Sequence, residues 1–304
     1  MLRRQSRIGI NLTESKFQFV EILFEGTEVR LLNAGEHLFP QSINWFSDNE
    51  SKIEETLGSG LREKVFTGNS NSTIVSFSFP LEVFKIFRSH RIDKLDKNEI
   101  SQYYNWELSV LFPHLDFSGY TLSAVPIKNN LLFGKEGVIV AAVKKKIIKD
   151  VSDLCKGAKI RIGAFDTAHF AFDKTMQFLH KEFSVGISAT VFPGENYFSF
   201  ELFSEGNVVF YKMLPAKYDY YELLLDLEKI DPALKDFSKN INRIYICGGR
   251  KFDSGKIYSE INGAEVVRSE LFSRLTMSDK LKKDLGSFNQ DDFMSAAGMA
   301  LRVY

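Results

Sequence analysis

Apolar and polar residues alternate at the start of the chain, a pattern that predicts strands rather than helices. The alternation covers residues 8–12 and again residues 17–21. A Glu-Gly-Thr turn at residues 25–27 then leads into a third predicted strand at 28–32. Three strands joined by short turns form an antiparallel meander.

A helix is predicted after this meander. Ser51 and Glu54 have the spacing of a capping box, and apolar residues continue a helical stripe to Leu61 in spite of two glycines. We therefore predict a helix that begins at Ser51.

Residues 73–157 are predicted to form an inserted subdomain, because they contain strands and helices of their own. Asp96 and Glu99 have the spacing of a helix cap, and Pro113 would stop the helix that they begin. The predicted strands are 72–79, 120–126 and 137–143, and the predicted helices are 96–111 and 147–155.

The meander pattern returns in the second half of the chain. A strand at 159–164 leads into a helix whose apolar face is Phe165, Ala168, Phe172, Met176 and Leu179. The predicted strands of the second meander are 185–191, 197–203 and 208–213. A repeated supersecondary unit predicts two related lobes.

Three further elements complete the pattern. They are a helix at 218–230, a strand at 243–247 that ends at Gly248-Gly249, and a terminal helix capped by Asn289 and Asp292. We expect residues 1–184 and 286–304 to form the first lobe, with the insertion at about 73–157. Residues 185–285 would form the second lobe.

Composition and charge narrow the functional classes. The chain has 304 residues, with 39 Lys and Arg against 39 Asp and Glu. Zero net charge argues against general attraction to nucleic acid. The apolar runs are far shorter than a membrane helix, and polar residues interrupt any signal-peptide core after Arg3 and Arg4. We therefore expect a cytoplasmic protein.

No catalytic or metal motif is visible. The five histidines have no metal-binding spacing, and no cysteine has a histidine close by in sequence that would make it a nucleophile. The expectation is thus no metal, with His169 an ordinary helix imidazole. The basic cluster of Lys144, Lys145, Lys146 and Lys149 is typical either of contact with anionic lipid or of a solvated junction.

The order of these elements resembles that of actin-like ATPases, and in particular the PilM family of type IV pilus assembly proteins. The similar stretches are 8–16 (IGINLTESK), 73–75 with 103–113 and 138–158, 162–168 (IGAFDTA), 244–249 (IYICGG) and 296–302 (AAGMALR). The resemblance implies an α/β, actin-like (ribonuclease H-like) fold of two lobes, with an inserted subdomain in the first.

The phosphate loops implied by this resemblance depart from the ATPase pattern, which uses a carboxylate and glycines in each loop. The first loop has Asn11, Leu12 and Thr13, and the leucine would stand where a phosphate passes. The second loop keeps Gly194 but has Pro193 and no acid at its matching positions; Gly248 and Gly249 would lie on the adenosine side. Glu14 and Glu195 could substitute for the missing acids, but both lie beyond the matching positions. We expect them to be solvated charges in turns. We expect no ATP hydrolysis and no bound ATP or magnesium.

The resemblance also implies a partner. Proteins of the PilM family lie at the cytoplasmic side of the inner membrane and capture the N-terminal peptide of a membrane protein, PilN. By resemblance, Ser72, Ile74, Ser76, Tyr120 and Leu122 would contact such a peptide, in a scaffold linked to other pilus or secretion platform components. An active ATPase of the same machine and the GspL-like cytoplasmic domain of a type II secretion system are the alternatives.

Overall fold

The structure is a computed structural model. It describes residues 5–26, 28–66, 74–92, 96–127, 137–158, 160–194, 196–215, 220–235, 240–247, 260–261, 263–268 and 270–302.

The described strands and helices are as follows. The strands are β1 (Gln5–Leu12), β2 (Lys16–Glu25), β3 (Glu28–Leu38), β4 (Ile74–Phe79), β5 (Phe84–His90), β6 (Tyr120–Ile127), β7 (Gly137–Lys144), β8 (Arg161–Thr167), β9 (Ile187–Pro193), β10 (Tyr197–Ser204), β11 (Asn207–Pro215), β12 (Arg243–Ile246), β13 (Glu260–Ile261) and β14 (Ala264–Arg268). The α-helices are α1 (Glu50–Ile53), α2 (Ser59–Lys64), α3 (Lys97–Leu111), α4 (Lys145–Gly157), α5 (Ala168–Leu179), α6 (Tyr220–Leu225), α7 (Leu271–Arg274), α8 (Asp279–Leu285) and α9 (Met294–Leu301).

The first lobe is built on a five-stranded sheet in the order β3-β2-β1-β4-β8. The predicted meander supplies three of these strands, and β1 pairs in parallel with β4. Ile8, Ile10 and Leu12 share one face of β1 and are buried in the core of the lobe. Strand β4, between β1 and β8, is buried along its whole length, as strands covered on both faces are.

Two boundaries in this lobe differ from the sequence prediction. The first helix begins after Asn49, whose side chain accepts a hydrogen bond from the Lys52 N–H, so Ser51 is not its cap. A π-helical turn at Glu54–Gly58 connects α1 to α2. The insertion cannot begin near residue 73, because β4 pairs with β1 and β8 within the first sheet.

A separate three-stranded sheet, in the order β5-β7-β6, lies between β4 and β8 in the chain. Helix α3 covers one face of it and starts with the predicted capping box of Asp96 and Glu99. It ends at Leu111, with Phe112 as its C-cap directly before Pro113. Helix α4 packs its apolar side into the core of the first lobe rather than against this sheet.

The second lobe repeats the plan of the first. Its six-stranded sheet has the order β11-β10-β9-β12-β14-β13, and β9 pairs in parallel with β12 as β1 does with β4. Glu205 and Gly206 both have positive φ angles, 49° and 71°, which a tight hairpin between β10 and β11 requires. The sequence pattern predicts β9 to β12 but not β13, β14, α7 or α8, which are too short to show a period.

Helices α5 and α9 pack between the two sheets. A Cβ atom on Gly298 would overlap the Ala171 carbonyl of α5, and one on Gly9 would overlap the Ala296 carbonyl of α9. Both glycines are needed because the backbones approach this closely. Phe165, predicted on the helix, lies on β8, since α5 begins only at Ala168 with Thr167 as its cap. No helix in the described ranges is long and apolar enough to cross a membrane.

Candidate functional site

The first candidate loop, the β1–β2 turn, is closed by its own hydrogen bonds. The Thr13 hydroxyl accepts hydrogen bonds from the N–H groups of Ser15, at 3.3 Å, and Lys16, at 3.0 Å. It also donates to the Lys16 carbonyl at 2.9 Å. A phosphate that bound these two N–H groups would have to displace the hydroxyl.

Asn11 and Leu12 point to opposite sides of β1. Asn11 is buried, donates to Gln18 Oε1 at 3.2 Å and accepts a hydrogen bond from the Ser78 hydroxyl at 2.9 Å. Leu12 is fully buried in the core of the first lobe. The expectation that Leu12 obstructs a phosphate path is therefore wrong, because strand alternation turns its side chain into the core.

The second candidate loop, the β9–β10 turn, contacts a carboxylate of the first lobe. Gly194 donates from its N–H to the Tyr197 carbonyl at 2.6 Å. The Asn196 N–H donates to Glu82 Oε1 at 3.3 Å, and Glu82 follows β4. One backbone donor of this loop is thus bonded to an acidic side chain of the same chain. Glu195 lies outside the described residues.

Lys16, at the end of the first candidate loop, connects this loop to the segment before α9. Its ammonium lies 2.9 Å from Glu36 and 3.1 Å from Asp292. Burial alone would lower the pKa of Lys16, but Glu36 and Asp292 outweigh it and the pKa is raised. Gly248 and Gly249 lie outside the described residues, directly after the buried Cys247.

A groove of about 500 Å³ lies between the three-stranded sheet and the helix and strand that connect the lobes. On the sheet side it is lined by Thr121, Ser123 and Val125 of β6 together with β7 residues. On the other side stand Phe165 and Phe170. We call this space the groove from here on.

Strand β6 forms an edge of the groove that can accept another strand. In the described part of the chain β6 pairs only with β7, and it is largely exposed from Thr121 to Pro126. Val125 keeps 51% of its surface exposed. An exposed edge strand beside apolar pockets is the arrangement used for adding an extended peptide.

The predicted peptide contacts are only partly at this groove. Leu122 lines it, but Tyr120 is buried beneath α3 with Phe117, at 4.8 Å between ring centroids. Ile74 and Ser76 are buried on β4, which pairs with a strand on each side, so they offer no free edge. Ser72 lies outside the described residues. The prediction missed Thr121, Ser123 and Val125, which alternate with the predicted pair along β6.

Charged side chains lie at the mouth and at the base of the groove. Asp166 forms an ion pair with Arg302, and Lys174 is exposed beside them. Asp173 and Glu201 also line the groove but are buried. The groove is therefore apolar along its walls and polar at its two ends.

Behind Asp173 and Glu201 lies His169, which is fully buried. Its Nε2 is 2.9 Å from the Thr190 hydroxyl and 3.4 Å from Asp173 Oδ1, and its Nδ1 contacts the Ser199 hydroxyl. Burial lowers the pKa of His169 against the opposing effect of Asp173. Burial, and then the Asp173 carboxylate, raise the pKa of Glu201 well above its usual value. Spacing along the sequence could not reveal this group, because Glu201 comes from a different element.

Two lysines of the basic cluster form ion pairs with aspartates of the same helix. Lys146 contacts Asp150, and Lys149 lies 2.8 Å from Asp153, both one turn along α4. Asp153 has its pKa lowered to about 2, mainly by Lys149 and Lys156. These pairs favour the solvated junction over a lipid contact.

No protein-family model matches this sequence, and no curated protein matches it. Solved structures do match. The PilM-PilN type IV pilus biogenesis complex is similar with a TM-score of 0.68 and 14% identity, over 97% of this chain and 98% of that one. The cytoplasmic domain of EpsL, an inner membrane component of the type II secretion system of Vibrio cholerae, gives 0.53 and 9%, over 95% and 98%.

A Bacteroides thetaiotaomicron protein of unknown function with an actin-like ATPase fold gives a TM-score of 0.53 and 11% identity, over 96% of both chains. Likeness at these identities extends along nearly the whole chain and concerns the fold. The predicted actin-like, two-lobed α/β fold is confirmed.

Proposed function

We propose that this chain is a cytoplasmic scaffold of a pilus-type or secretion-type platform at an inner membrane, and that it binds an extended peptide in the groove. The observation that carries the proposal is the exposed edge strand β6 beside an apolar groove. The fold shared with the PilM-PilN complex supports it. The peptide would be the N-terminal cytoplasmic segment of a PilN-like membrane protein, and membrane association would come through such partners.

The peptide would pair with β6 as an added strand. Backbone hydrogen bonds to the edge of β6 would supply affinity, and alternate side chains would enter the groove next to Val125 and Phe165. The Asp166–Arg302 pair and Lys174 would contact polar groups at the mouth. The groove can accept a peptide in this way without any movement of the nucleotide loops.

The same proposal includes the absence of ATP hydrolysis. The Thr13 hydroxyl and the Glu82 carboxylate bond to N–H groups of the two loops, and the neutral Asn11 is held by Gln18 and Ser78. A magnesium triphosphate needs N–H donors free to reach the phosphates and carboxylates that balance the metal. These contacts favour a scaffold over an active ATPase.

Peptide binding is tested by calorimetric titration of the purified chain with a synthetic N-terminal cytoplasmic peptide of a PilN-like membrane protein. Val125→Asp places a charge in the groove and is expected to weaken binding at least tenfold. Val110→Asp is the matched control, because Val110 is 58% exposed on α3, away from the groove. Equal loss in both variants, or no binding by the wild-type chain, would remove the groove proposal.

Hydrolysis is tested by phosphate release from Mg-ATP, with Asn11→Asp as the variant that restores a carboxylate at the first loop. We expect no release above buffer for either protein, because the second loop is unchanged. Release by the wild-type chain would favour the ATPase alternative. A secretion-type role would instead be supported if the chain bound the peptide of a secretion-system membrane protein and not a pilus one.

A further inference from the structure

We propose that His169, Asp173 and Glu201 form a binding site for a divalent transition-metal ion of the zinc type at the base of the groove. Each residue offers one ligand atom, and these atoms all lie within 4.8 Å of one another. The proposal concerns residues of the second sheet and α5, and it does not depend on which partner the groove binds.

The helix and the sheet bring the ligands together. His169 and Asp173 are one turn apart on α5, so they share a face of that helix. Glu201 lies on β10, paired across the sheet with Thr190 of β9. All three side chains are buried, with at most 4% of each residue exposed.

The distances fit tetrahedral coordination. With metal–nitrogen bonds of about 2.0–2.1 Å and metal–oxygen bonds of about 2.0–2.2 Å, two ligand atoms of a zinc tetrahedron stand roughly 3.4 Å apart. His169 Nε2 and Asp173 Oδ1 are 3.4 Å apart. The Glu201 ligand atom lies within 4.8 Å of both and would have to stand about 3.4 Å from each to complete one face of the tetrahedron.

The two carboxylates lack other partners. None of the four carboxylate oxygens of Asp173 and Glu201 accepts a hydrogen bond from the residues that the structure describes. Two adjacent buried carboxylates without donors are costly for a folded protein, and a cation between them removes that cost. These buried oxygens, independent of the histidine, point to a ligand.

The surroundings suit a metal-binding histidine. When Nδ1 donates to the Ser199 hydroxyl, which it contacts, Nε2 keeps a lone pair. That lone pair faces the Thr190 hydroxyl at 2.9 Å and Asp173 Oδ1 at 3.4 Å, so a bound ion would replace the hydrogen bond to Thr190. Metal-binding histidines are commonly oriented by such a hydrogen bond from the other ring nitrogen. The ring also stacks on Phe192, with centroids 5.6 Å apart, which limits its rotation.

The site is buried but borders the groove. Asp173 and Glu201 line the groove, so an ion can enter there and a water molecule can take a fourth position. One nitrogen and two carboxylate ligands suit zinc better than calcium or magnesium, which prefer ligand sets made only of oxygen.

The experiment titrates the metal-free, full-length chain with Zn²⁺ against a chromophoric chelator, with no peptide or nucleotide present. One zinc ion per chain is expected. His169→Gln and Glu201→Gln should each weaken zinc binding about 100-fold. Glu222→Gln is the matched control, because it removes an exposed carboxylate from α6 of the same lobe, and it should stay within twofold of the wild type.

Cobalt provides a readout that needs no variant. Co²⁺ in a tetrahedral site of nitrogen and oxygen ligands absorbs strongly in the visible range, whereas Co²⁺ on surface carboxylates does not. Failure of the wild-type chain to bind zinc at micromolar concentration would overturn the site. Equal zinc affinity in Glu201→Gln, which keeps the side-chain shape, would also overturn it. Either result leaves the peptide proposal untouched.

Discussion

The two lobes bury polar groups inside the same kind of meander but in different ways. In the first lobe, Asn11 bonds to Gln18 and Ser78, and all three side chains are neutral. In the second, Asp173 and Glu201 face each other without a described donor, beside the neutral His169. A satisfied neutral network stabilises the fold by itself, whereas an unsatisfied charged one requires a proton or a cation.

This difference makes the second lobe, and not the first, the candidate for binding an ion. The first-lobe network consists of neutral amide and hydroxyl groups that bond to one another. The second-lobe group has carboxylate oxygens without a described partner, which is why we propose a metal site in that lobe.

The largest expected effect is at the packing of α5 against α9, on which the second-lobe group depends. Gly298→Ala should lower the free energy of unfolding by about 3 kcal/mol, because the added Cβ would overlap the Ala171 carbonyl. Chemical denaturation measures this. Gly157→Ala is the control, since nothing lies within 4 Å of its added Cβ, and a cost as large there would refute the packing argument.

Asn11→Leu should have the second-largest effect on the free energy of unfolding. It removes the partner of the Ser78 hydroxyl and of the Gln18 amide, so we expect the free energy of unfolding to fall by about 2 kcal/mol. Urea denaturation of the variant and of Asn98→Leu, an exposed asparagine on α3, checks the value. If both variants lose the same amount, the first-lobe network is not what stabilises this region.

Glu201→Gln should have the opposite sign when metal is removed by a chelator. The neutral amide keeps the shape of the side chain, removes a buried carboxylate and donates to Asp173. We expect the free energy of unfolding to rise by about 1–2 kcal/mol. A decrease, measured by urea denaturation in chelator, would mean that the carboxylate has a stabilising partner.

The smallest effect is expected at Lys16. Its pKa is raised above 10.5 in the folded chain, so its contribution is complete below that pH and is lost as pH rises through the folded value. Lys16→Met should cost about 0.5–1 kcal/mol at neutral pH and nothing at strongly alkaline pH. Thermal melts from pH 7 upward, with Lys280→Met as an exposed control, test this; a pH-independent difference would contradict the ion pairs.

Much of the fold was predictable because its signals are local. The alternation in β1 and β2, the capping box of α3 and the return of the meander pattern each predicted an element that the structure contains. The errors also have local causes. Asn49, not Ser51, caps α1, and Phe165 lies within β8 instead of on a helix.

Of the two predicted contacts on β6, Leu122 lines the groove and Tyr120 is buried beneath α3. Thr121, Ser123 and Val125 also line the groove. A strand shows its two faces with a period of two, and only packing against α3 decides which face is covered. Ile74 and Ser76 were predicted to contact a peptide, but they lie on a strand that is paired on both sides. The residues of a strand do not determine its position within a sheet.

The sequence by itself determined the order of the elements, the two meanders and the absence of carboxylates at the matching positions of the phosphate loops, because these depend on neighbours in the chain. Only the tertiary structure decided that Glu82 bonds to the Asn196 N–H, and that His169, Asp173 and Glu201 meet. These contacts join segments that are far apart in the chain, so no pattern of neighbouring residues could predict them.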